Sequence, residues 1–315
     1  MKIVSYREGE RVVKGGTVVA LGLFDGVHIA HRALISRARA LAEERGLLTA
    51  VFTFPSHSRG LKSGRQRLYS TEQRLDLFKT LCVDIAIVAD FDSISGLSPE
   101  AFVRDCLVRD CGAELAVTGF NFRFGKGASA DASDLARLMR LCGKDCEITN
   151  EITHSGKTVS TTLMRELLEG KKLEELSRLL SVPFYIEGVV ESRLRLGKKL
   201  GAPTVNLPLP QNTAAPPRGV YRSATLIDGQ LYPSVTNVGV CPTVGEREEH
   251  TETHILGEAG ELYGKRVKVF FLGYLRDEKE FSSQEELVTQ INIDKTAAMP
   301  REGDAIWAEN GPSLP

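Results

Sequence analysis

The 315-residue chain lacks the long apolar runs that cross a lipid bilayer. None of its hydrophobic stretches approaches the ~20 residues that a membrane-spanning helix needs. The first residues contain no apolar segment typical of a secretory signal peptide. Internal repeats and low-complexity segments are also absent. We therefore expect a soluble, cytoplasmic protein made of ordinary globular domains, with no membrane partner.

The chain has almost no net charge. Its 40 basic and 41 acidic side chains leave a formal charge of −1 at pH 7. A general nucleic-acid binder is usually clearly basic, so the composition predicts no nucleic-acid partner. Local basic clusters could still hold phosphate groups. The oligomeric state is left open by the sequence.

The chain is poor in cysteine for a disulfide-stabilised or zinc-binding protein. Its six cysteines are irregularly spaced and form no Cys-x-x-Cys motif. Cys142 and Cys146 would share one face of a helix and could then bind a metal ion. Free thiols are the favoured interpretation, because cytosolic proteins rarely contain disulfides.

The first half of the chain alternates strands with helices. The strands are predicted at residues 18–21, 48–54, 85–89 and 115–118, and the helices at 33–45, 71–80, 99–110 and 132–142. Strands separated by helices predict a parallel sheet in an α/β domain. Such a sheet binds its ligands at the carboxyl ends of its strands. Two further helices, at 161–170 and 173–180, are predicted before Pro183.

The second half reads as an antiparallel β domain. Short strands are predicted at residues 185–190, 220–227, 235–238, 252–256 and 266–272, separated by turns. This spacing indicates a β-sandwich or barrel. A closing helix is predicted at 283–293, with Ser283 as its N-cap. The predicted domains are therefore 1–182 and 183–297, followed by a loose tail at 298–315.

The segment 17–31 is the most informative in the chain. It combines a buried strand, a glycine-containing turn at 22–26 and a helix that begins near Val27. His28 and His31 are three residues apart and would share one helix face. Two imidazoles at a helix N-terminus beside glycine-permitted backbone predict a phosphate site. The alternative is an ordinary strand-turn-helix with two idle surface histidines.

Several motifs occur together in one order along the chain. The first half contains Gly-x-Phe-Asp-Gly-Val-His-x-x-His at 22–31, Gly-Phe-Asn-Phe-Arg-Phe-Gly-Lys-Gly at 119–127 and Val-Ser-Thr-Thr-x-x-Arg at 159–165. The second half contains Leu-Gly-x-Pro-Thr-x-Asn-Leu at 200–207, Thr-Asn-Val-Gly-x-x-Pro-Thr at 236–243, Glu-Thr-His-Ile-Leu at 252–256 and Leu-Arg-Asp-Glu-Lys-x-Phe at 275–281. Over residues 15–297 the chain resembles the bacterial bifunctional riboflavin kinase/FAD synthetases.

The resemblance implies two folds and two reactions. It implies a Rossmann-like nucleotidyltransferase domain that adenylylates FMN with ATP to FAD and pyrophosphate. It also implies a β-barrel flavokinase domain that phosphorylates riboflavin with ATP to FMN. Riboflavin, FMN and ATP are then the partners, and Mg²⁺ is the expected cofactor.

In the kinase domain, an alcohol must attack phosphorus, and a positioned carboxylate helps as a base. Glu252, on a predicted strand, is the candidate base. Thr204 and Asn206 point to one side of an extended segment and offer neutral oxygens for Mg²⁺; the alternative is a mere turn into a strand. Gly201 would let a loop close over the nucleotide. By resemblance, Arg276 would contact the flavin.

In the adenylyltransferase domain, the nucleophile is the ionised FMN phosphate, so no general base is needed. The site must instead stabilise charge on the α-phosphate and on departing pyrophosphate. His28, His31 and Arg165 are the candidates for this role. Asp25 contacts ribose or, equally well, caps the following helix. The remaining expected contacts to the nucleotide are Gly22, Phe24, Gly26, Asn121, Ser160 and Thr161.

The first half departs from the family motifs at several positions. Ala30, Ala128 and Ala130 stand where other residues are usual, and the segment 53–58 has lost its acidic residue. Two alternative functions therefore stay open at this point. One is a riboflavin kinase with a weak or silent adenylyltransferase domain. The other is a flavin- or nucleotide-binding regulator without turnover.

Overall fold

The computed structural model describes residues 1–56, 66–191, 204–240, 249–257, 259–301, 304–307 and 314. These residues form two compact units that divide between Leu163 and Met164. The division falls inside a helix and lies upstream of the predicted domain boundary at 182, which stays a prediction. In this described part of the chain, no helix is both long and apolar enough to cross a membrane.

The first unit is built on a six-stranded parallel sheet. Its strands are β1 (Lys2–Tyr6), β2 (Thr17–Leu21), β3 (Leu48–Thr53), β4 (Ile85–Ala89), β5 (Ala113–Gly119) and β8 (Asp145–Thr149). Their order is β1-β4-β3-β2-β5-β8, and every pairing is parallel. The predicted α/β architecture is confirmed. Two hairpins, β6 (Arg123–Phe124) with β7 (Ala130–Asp131) and β9 (Thr153–His154) with β10 (Lys157–Thr158), extend from it.

The helices of this unit follow the strands closely. They are α1 (Ile29–Arg45), α2 (Thr71–Thr80), the short α3 (Phe91–Ile94) and α4 (Pro99–Ala101), and α5 (Ala132–Leu141). The helix predicted at 99–110 is mostly a π-helix, Phe102–Asp110, because the Cys111 N–H bonds five residues back to the Cys106 carbonyl at 3.0 Å. Ser70 caps α2 with a full capping box.

The two edge strands of this sheet were not predicted from the sequence. β1 and β8 are short and mostly exposed or half-buried, so they lack the apolar run that marks a buried strand. β8 also corrects the prediction for Cys142 and Cys146. Cys142 caps the end of α5 and Cys146 lies in β8, so they do not share a helix face. Both are free thiols, whereas Cys241 lies outside the described residues.

The second unit contains an antiparallel barrel. Its strands are β11 (Tyr185–Val189), β12 (Thr204–Pro208), β13 (Gly219–Ile227), β14 (Gln230–Val240), β15 (Glu249–Ile255) and β16 (Arg266–Arg276). They follow the order β11-β16-β13-β14-β15-β12. The Glu191 N–H bonds the Asn206 carbonyl at 3.1 Å, which joins the two ends of the sheet. The predicted barrel is confirmed, and β12 was missed as a strand.

Hydroxyl groups fill part of the barrel interior. Ser223 lies 2.8 Å from both Ser234 and Thr236, and Thr236 lies 2.9 Å from Thr253. Thr225 extends the network through Ser234 at 2.9 Å. All five side chains are fully buried. Each buried hydroxyl therefore has a partner, which avoids the cost of an unpaired polar group.

Among the described residues, three α-helices belong to this unit wholly or in part. α6 (Thr161–Glu169) crosses the division of the chain, α7 (Leu173–Leu179) follows it, and α8 (Gln284–Ala298) closes the barrel. Ser283 is the N-cap of α8, as predicted, since its hydroxyl accepts from the Glu286 N–H at 3.1 Å. Asp294 of α8 accepts from Arg276 of β16 at 2.7–3.1 Å, which attaches the helix to the sheet.

The tail is anchored at residues 304–307, so the prediction of a loose tail is wrong there. Arg222 of β13 donates two hydrogen bonds to Asp304, one of them at 3.0 Å. The Arg222 side chain is 4% exposed, and Ile306 is buried nearby in sequence. The absence of periodicity after residue 300 does not reveal this contact, because an ion pair needs no sequence repeat.

We predict that Asp304→Asn destabilises the second unit by about 3 kcal/mol, because it leaves the Arg222 guanidinium buried without a counter-charge. The chain's one tryptophan, Trp307, lies three residues from Asp304 and reports on the tail. Urea denaturation followed by its fluorescence measures the effect. The exposed Glu261→Gln is the control and should change stability by less than about 0.5 kcal/mol. Equal midpoints for both variants would contradict the anchoring role.

Candidate active sites

The loop after β2 lies at the point where the strand order of the parallel sheet reverses. Connections run outward from β2 toward β3 on one side and from β5 toward β8 on the other. This reversal opens a crevice at the carboxyl ends of the strands, where α/β sheets bind ligands. Phe24, Gly26 and Val27 in the loop have φ values of 55°, 89° and 42°. A β-branched residue in this region is strained, and such strain is concentrated at functional sites.

His28 and His31 lie together at the start of α1. His28 is the N-cap, and its Nδ1 accepts from the His31 N–H at 3.4 Å. The two rings are stacked, with centroids 3.7 Å apart and planes inclined by 16°. They therefore share one side of the helix, as their spacing predicts. The Nδ1 atom of His31 is buried and has no partner among the described residues.

Burial keeps both imidazoles uncharged at neutral pH. It lowers the pKa of His28 to about 4. Burial also lowers the pKa of His31 well below its usual range, and the Arg74 guanidinium and the His28 ring in its protonated form act in the same direction. Because Nδ1 of His28 accepts a hydrogen bond, the proton of its neutral ring is on Nε2. The pair can therefore donate hydrogen bonds without carrying charge of its own.

Asp25 holds the binding loop to two other segments. Its carboxylate accepts from the Leu68 and Tyr69 N–H groups at 2.9 and 3.3 Å, and its carbonyl accepts from the Thr161 hydroxyl at 3.0 Å. The alternative role as the cap of α1 is wrong, because His28 occupies that position. Ser160 accepts from the Leu163 N–H at 3.3 Å at the start of α6.

Arg74 is a structural residue of the site that the sequence did not reveal. Its guanidinium donates to the carbonyls of Leu23 and Phe54, both at 2.6 Å, and to the Thr53 hydroxyl at 2.8 Å. It thereby joins the ends of β2 and β3, and burial lowers its pKa to about 10. An arginine in a helix is ordinarily expected to be exposed to solvent. The only sequence signal is its place one residue after the capping-box residue Gln73.

The other predicted residues of the first site differ in their burial and in the compact unit to which they belong. A Cβ on Gly22 would lie 3.0 Å from the Phe24 ring, so glycine permits their close contact. Phe24 is fully buried, and its ring packs edge-on against His31 with centroids 5.2 Å apart. The Phe24 ring therefore helps to hold the His31 ring by packing against it. Asn121 is exposed after β5, whereas Arg165 belongs to the second compact unit, so its predicted role stays a prediction.

Half-buried aromatic rings lie at the same edge of the parallel sheet. Phe54 follows β3, and its ring centroid is 5.3 Å from that of Phe91, which follows β4. Phe122 follows β5 and stacks with Phe124 at 5.7 Å. The edge therefore combines polar groups with apolar rings, which is the composition of a small-molecule site.

In the second unit, polar side chains form a row on the outer face of the barrel. Glu252 of β15 pairs directly with Asn206 of β12 on one side and with Asn237 of β14 on the other. Thr204 pairs with His254 in the neighbouring row. These five side chains are half-buried, whereas the alternate residues of the same strands face the closed interior. Directly opposed residues have Cβ atoms about 4.5–5.5 Å apart.

The structure thus brings Glu252 to the same face as Thr204 and Asn206, whose shared side was predicted from their spacing in an extended segment. Burial lowers the pKa of His254, an effect that Glu252 opposes and Lys295 reinforces. The Arg276 guanidinium is held by Asp294 and lies 5.9 Å from the Phe281 ring. Its contact with a flavin stays a prediction. Gly201 lies outside the described residues.

The comparisons with known proteins cover both units. Residues 11–163 match the FAD synthetase family, and residues 180–300 match the riboflavin kinase family. The bifunctional riboflavin kinase/FMN adenylyltransferase of Bacillus subtilis is 32% identical over 292 residues, which cover 90% of this chain and 92% of that protein. The protein of the same description from Pseudomonas fluorescens is 34% identical over 309 residues, covering 95% and 97%. The chain belongs to the bifunctional riboflavin kinase/FMN adenylyltransferase family.

A solved structure resembles this family member over nearly the whole chain. It is described as a macrolide-efflux protein from Streptococcus pneumoniae, and it is 26% identical with a TM-score of 0.85. The likeness covers 95% of this chain and 99% of that one. With the family matches, the first unit contains the FAD synthetase domain and the second contains the riboflavin kinase domain.

The kinase face has suitable oxygen atoms for a magnesium ion. Among the described residues, no group of three or more His, Cys, Asp or Glu side chains is arranged to hold a metal. Mg²⁺ does not need such a cage, because it keeps several waters and also takes phosphate oxygens. Thr204 and Asn206 offer a hydroxyl and an amide oxygen on one face. This donor set fits Mg²⁺.

We predict that acid destabilises the FAD synthetase domain through His28. Its pKa is about 4 in the folded protein and 6.5 in an ordinary environment. Between these values the unfolded chain binds the proton and the folded domain does not. The stabilisation is therefore complete above pH 6.5 and is lost as the pH falls toward 4, by about 2–3 kcal/mol.

The test compares wild type with His28→Asn, which retains a capping oxygen but does not titrate. Urea denaturation followed by far-ultraviolet circular dichroism, at pH 7.5 and 4.5, measures both proteins. Wild type should lose about 2–3 kcal/mol more than the variant between these pH values. Identical losses would mean that the His28 ring is protonated as readily in the fold as outside it.

Proposed function

We propose that the chain makes FAD from riboflavin in two steps at two separate sites. The riboflavin kinase domain transfers the γ-phosphoryl group of ATP to riboflavin, and the FAD synthetase domain transfers the AMP group of a second ATP to FMN. The observation that best supports the first step is the placement of Glu252 directly opposite Asn206 on the open face of the barrel. The substrates are then riboflavin, FMN and ATP.

In the kinase step, Glu252 accepts the proton of the terminal hydroxyl of the ribityl chain as that oxygen bonds to the γ-phosphorus. The bond between this phosphorus and the bridging oxygen of ADP breaks. Half-burial fixes Glu252 on a strand, which keeps its carboxylate positioned for the proton. Thr204 and Asn206 would hold Mg²⁺. Bound there, the ion would neutralise charge on the phosphates.

In the adenylyl step, a phosphate oxygen of FMN bonds to the α-phosphorus of ATP, and the bond to pyrophosphate breaks. His28 and His31 donate hydrogen bonds to the phosphates at the N-terminus of α1, where the helix dipole also favours negative charge. Their neutral rings accept protons more readily once an anion is bound, because a nearby negative charge raises an imidazole pKa. The protonated rings then carry positive charge beside the departing pyrophosphate.

The remaining residues of this site support the same step. Asn121 would contact phosphate or ribose, and Ser160, Thr161 and Arg165 the pyrophosphate. The Thr161 hydroxyl donates to the Asp25 carbonyl, and rotation about its C–O bond would redirect the same hydrogen to a phosphate oxygen. The ring of Phe54, half-buried at the same edge of the sheet, would give the flavin an apolar surface.

The two-step function is favoured over a kinase alone and over a regulator without turnover. The FAD synthetase match covers residues 11–163, including Ala30, Ala128 and Ala130. The experiment incubates the purified protein with riboflavin, ATP and Mg²⁺ and separates the flavins by chromatography. We expect FMN first and FAD later. A plateau at FMN would reject the second step, and flavin binding without ADP release would reject both.

We predict that Glu252→Gln and His31→Ala affect different steps. Glu252→Gln removes the base and should slow FMN formation at least ~100-fold, which is the usual effect of losing a general base. It should leave the conversion of supplied FMN to FAD unchanged. His31→Ala removes a donor to the phosphates and should slow FAD formation ~100-fold while sparing FMN formation. Initial rates of each half-reaction, measured separately, check both expectations.

The control for these variants is Glu261→Gln, which makes the same chemical change at an exposed position of the kinase domain. It should leave both rates within twofold of wild type. Parallel loss of both steps in either active-site variant would contradict two separate sites. Retention of FMN formation in Glu252→Gln would remove Glu252 from the role of base.

A further inference from the structure

Asn237 lies beside the proposed base and has no role in the mechanism above. It is in β14, directly opposite Glu252 of β15 and next to Val220 of β13. Glu252 therefore has an asparagine on both sides, Asn206 on β12 and Asn237 on β14. Opposed residues of neighbouring strands point to the same face, with Cβ atoms about 4.5–5.5 Å apart. The Asn237 amide is thus within reach of a group that contacts Glu252.

The orientation of the Asn237 amide is set by a second carboxylate. Its Nδ2 donates to Oε1 of Glu278 at 3.3 Å. The reversed amide would place Oδ1 against the carboxylate, where two acceptors repel each other. A Cβ on Gly239 would lie 2.0 Å from the same Oε1 atom, so the absence of a side chain there leaves room for Glu278. Glu278 and Gly239 together determine which atom of Asn237 faces away from them.

The oxygen of this amide is buried without a partner. Oδ1 of Asn237 has no hydrogen-bond donor among the described residues. An unsatisfied buried acceptor destabilises the free protein, so a ligand that supplies a donor gains affinity. Amide nitrogens and hydroxyls are the ordinary donors to such an oxygen. In the proposed kinase substrate, hydroxyls lie along the polyol chain beside the one that Glu252 deprotonates.

We propose that Asn237 binds the substrate of the kinase domain, its Oδ1 accepting a hydrogen bond from a secondary hydroxyl of the riboflavin polyol chain. Glu278 is a positioning residue that acts through the Asn237 amide. The proposal rests on the kinase function proposed above. It adds a specificity element, because the contact selects a polyol with a hydroxyl next to its reacting end.

The central variant is Asn237→Leu, which keeps the size of the side chain and removes the acceptor. Riboflavin affinity, measured by quenching of flavin fluorescence, should weaken about 5–20-fold, the equivalent of one lost hydrogen bond. The KM for riboflavin should rise in the same proportion, while the KM for ATP and the kcat stay within about twofold. FAD formation from supplied FMN, in the same preparation, shows that the protein is folded.

The deciding measurement uses riboflavin analogues that each lack one secondary hydroxyl. Wild type should bind one of them about 5–20-fold more weakly than riboflavin, and Asn237→Leu should bind that analogue and riboflavin equally well. A structural role for Asn237 would weaken all ligands alike and leave this ratio unchanged. If Asn237→Leu discriminates among the analogues as wild type does, the proposal is overturned.

Glu278→Gln and Gly239→Ala test the positioning role without altering Asn237. The first allows the Asn237 amide to rotate, and the second displaces the Glu278 carboxylate, whose flexible side chain can move at low cost. Both should weaken riboflavin binding about 2–5-fold and reduce discrimination against the same analogue. Glu280→Gln is the matched control in the same exposed segment and should behave as wild type. Full discrimination in both variants would overturn the role of Glu278.

Failure of the proposed function gives a different result. If wild type neither binds riboflavin nor releases ADP in its presence, the kinase function is wrong and the role of Asn237 falls with it. If wild type phosphorylates riboflavin but no single hydroxyl deletion affects binding, the kinase function stands and only the role of Asn237 is rejected.

Discussion

The register of the barrel strands is the constraint on which the kinase face depends. Successive side chains of a strand point to opposite faces, so a slip of one residue would turn Glu252 into the interior and a neighbouring threonine outward. The hydroxyl network of Ser223, Thr236 and Thr253 links β13, β14 and β15 inside the barrel. A slip of one residue would turn these buried hydroxyls away from their partners. The hydrogen bonds of the interior therefore determine which side chains lie on the outer face.

In the FAD synthetase domain, one buried cation, the Arg74 guanidinium, holds the binding loop in place. This loop leaves β2 with left-handed backbone at three positions, which costs conformational free energy. The buried Arg74 guanidinium offsets that cost by joining the loop to β3, and Asp25 joins it to the segment before α2. The two histidines are consequently held in place before any phosphate arrives. In both domains, buried polar contacts position the reactive groups.

The sequence predicted the parts of the sites that depend on local spacing. His28 and His31 stack because three residues bring them to one side of a helix, and Thr204 and Asn206 share a face because strands alternate. It did not predict pairings between distant strands, such as Asn237 with Glu252, because no local pattern encodes register. The roles of Arg74 and Asp304 were also not predicted, because a charged side chain is expected to be exposed unless its buried partner is known.

The anchoring of the tail has a consequence for biosynthesis. Arg222 and Asp304 are separated by 82 positions, and β11 pairs with β16 across a similar stretch of chain. As the polypeptide leaves the ribosome, the FAD synthetase domain can fold while the barrel is still incomplete. The guanidinium of β13 meets its counter-ion only after residue 304 has emerged. The domain that would act first on riboflavin therefore matures after the FAD synthetase domain.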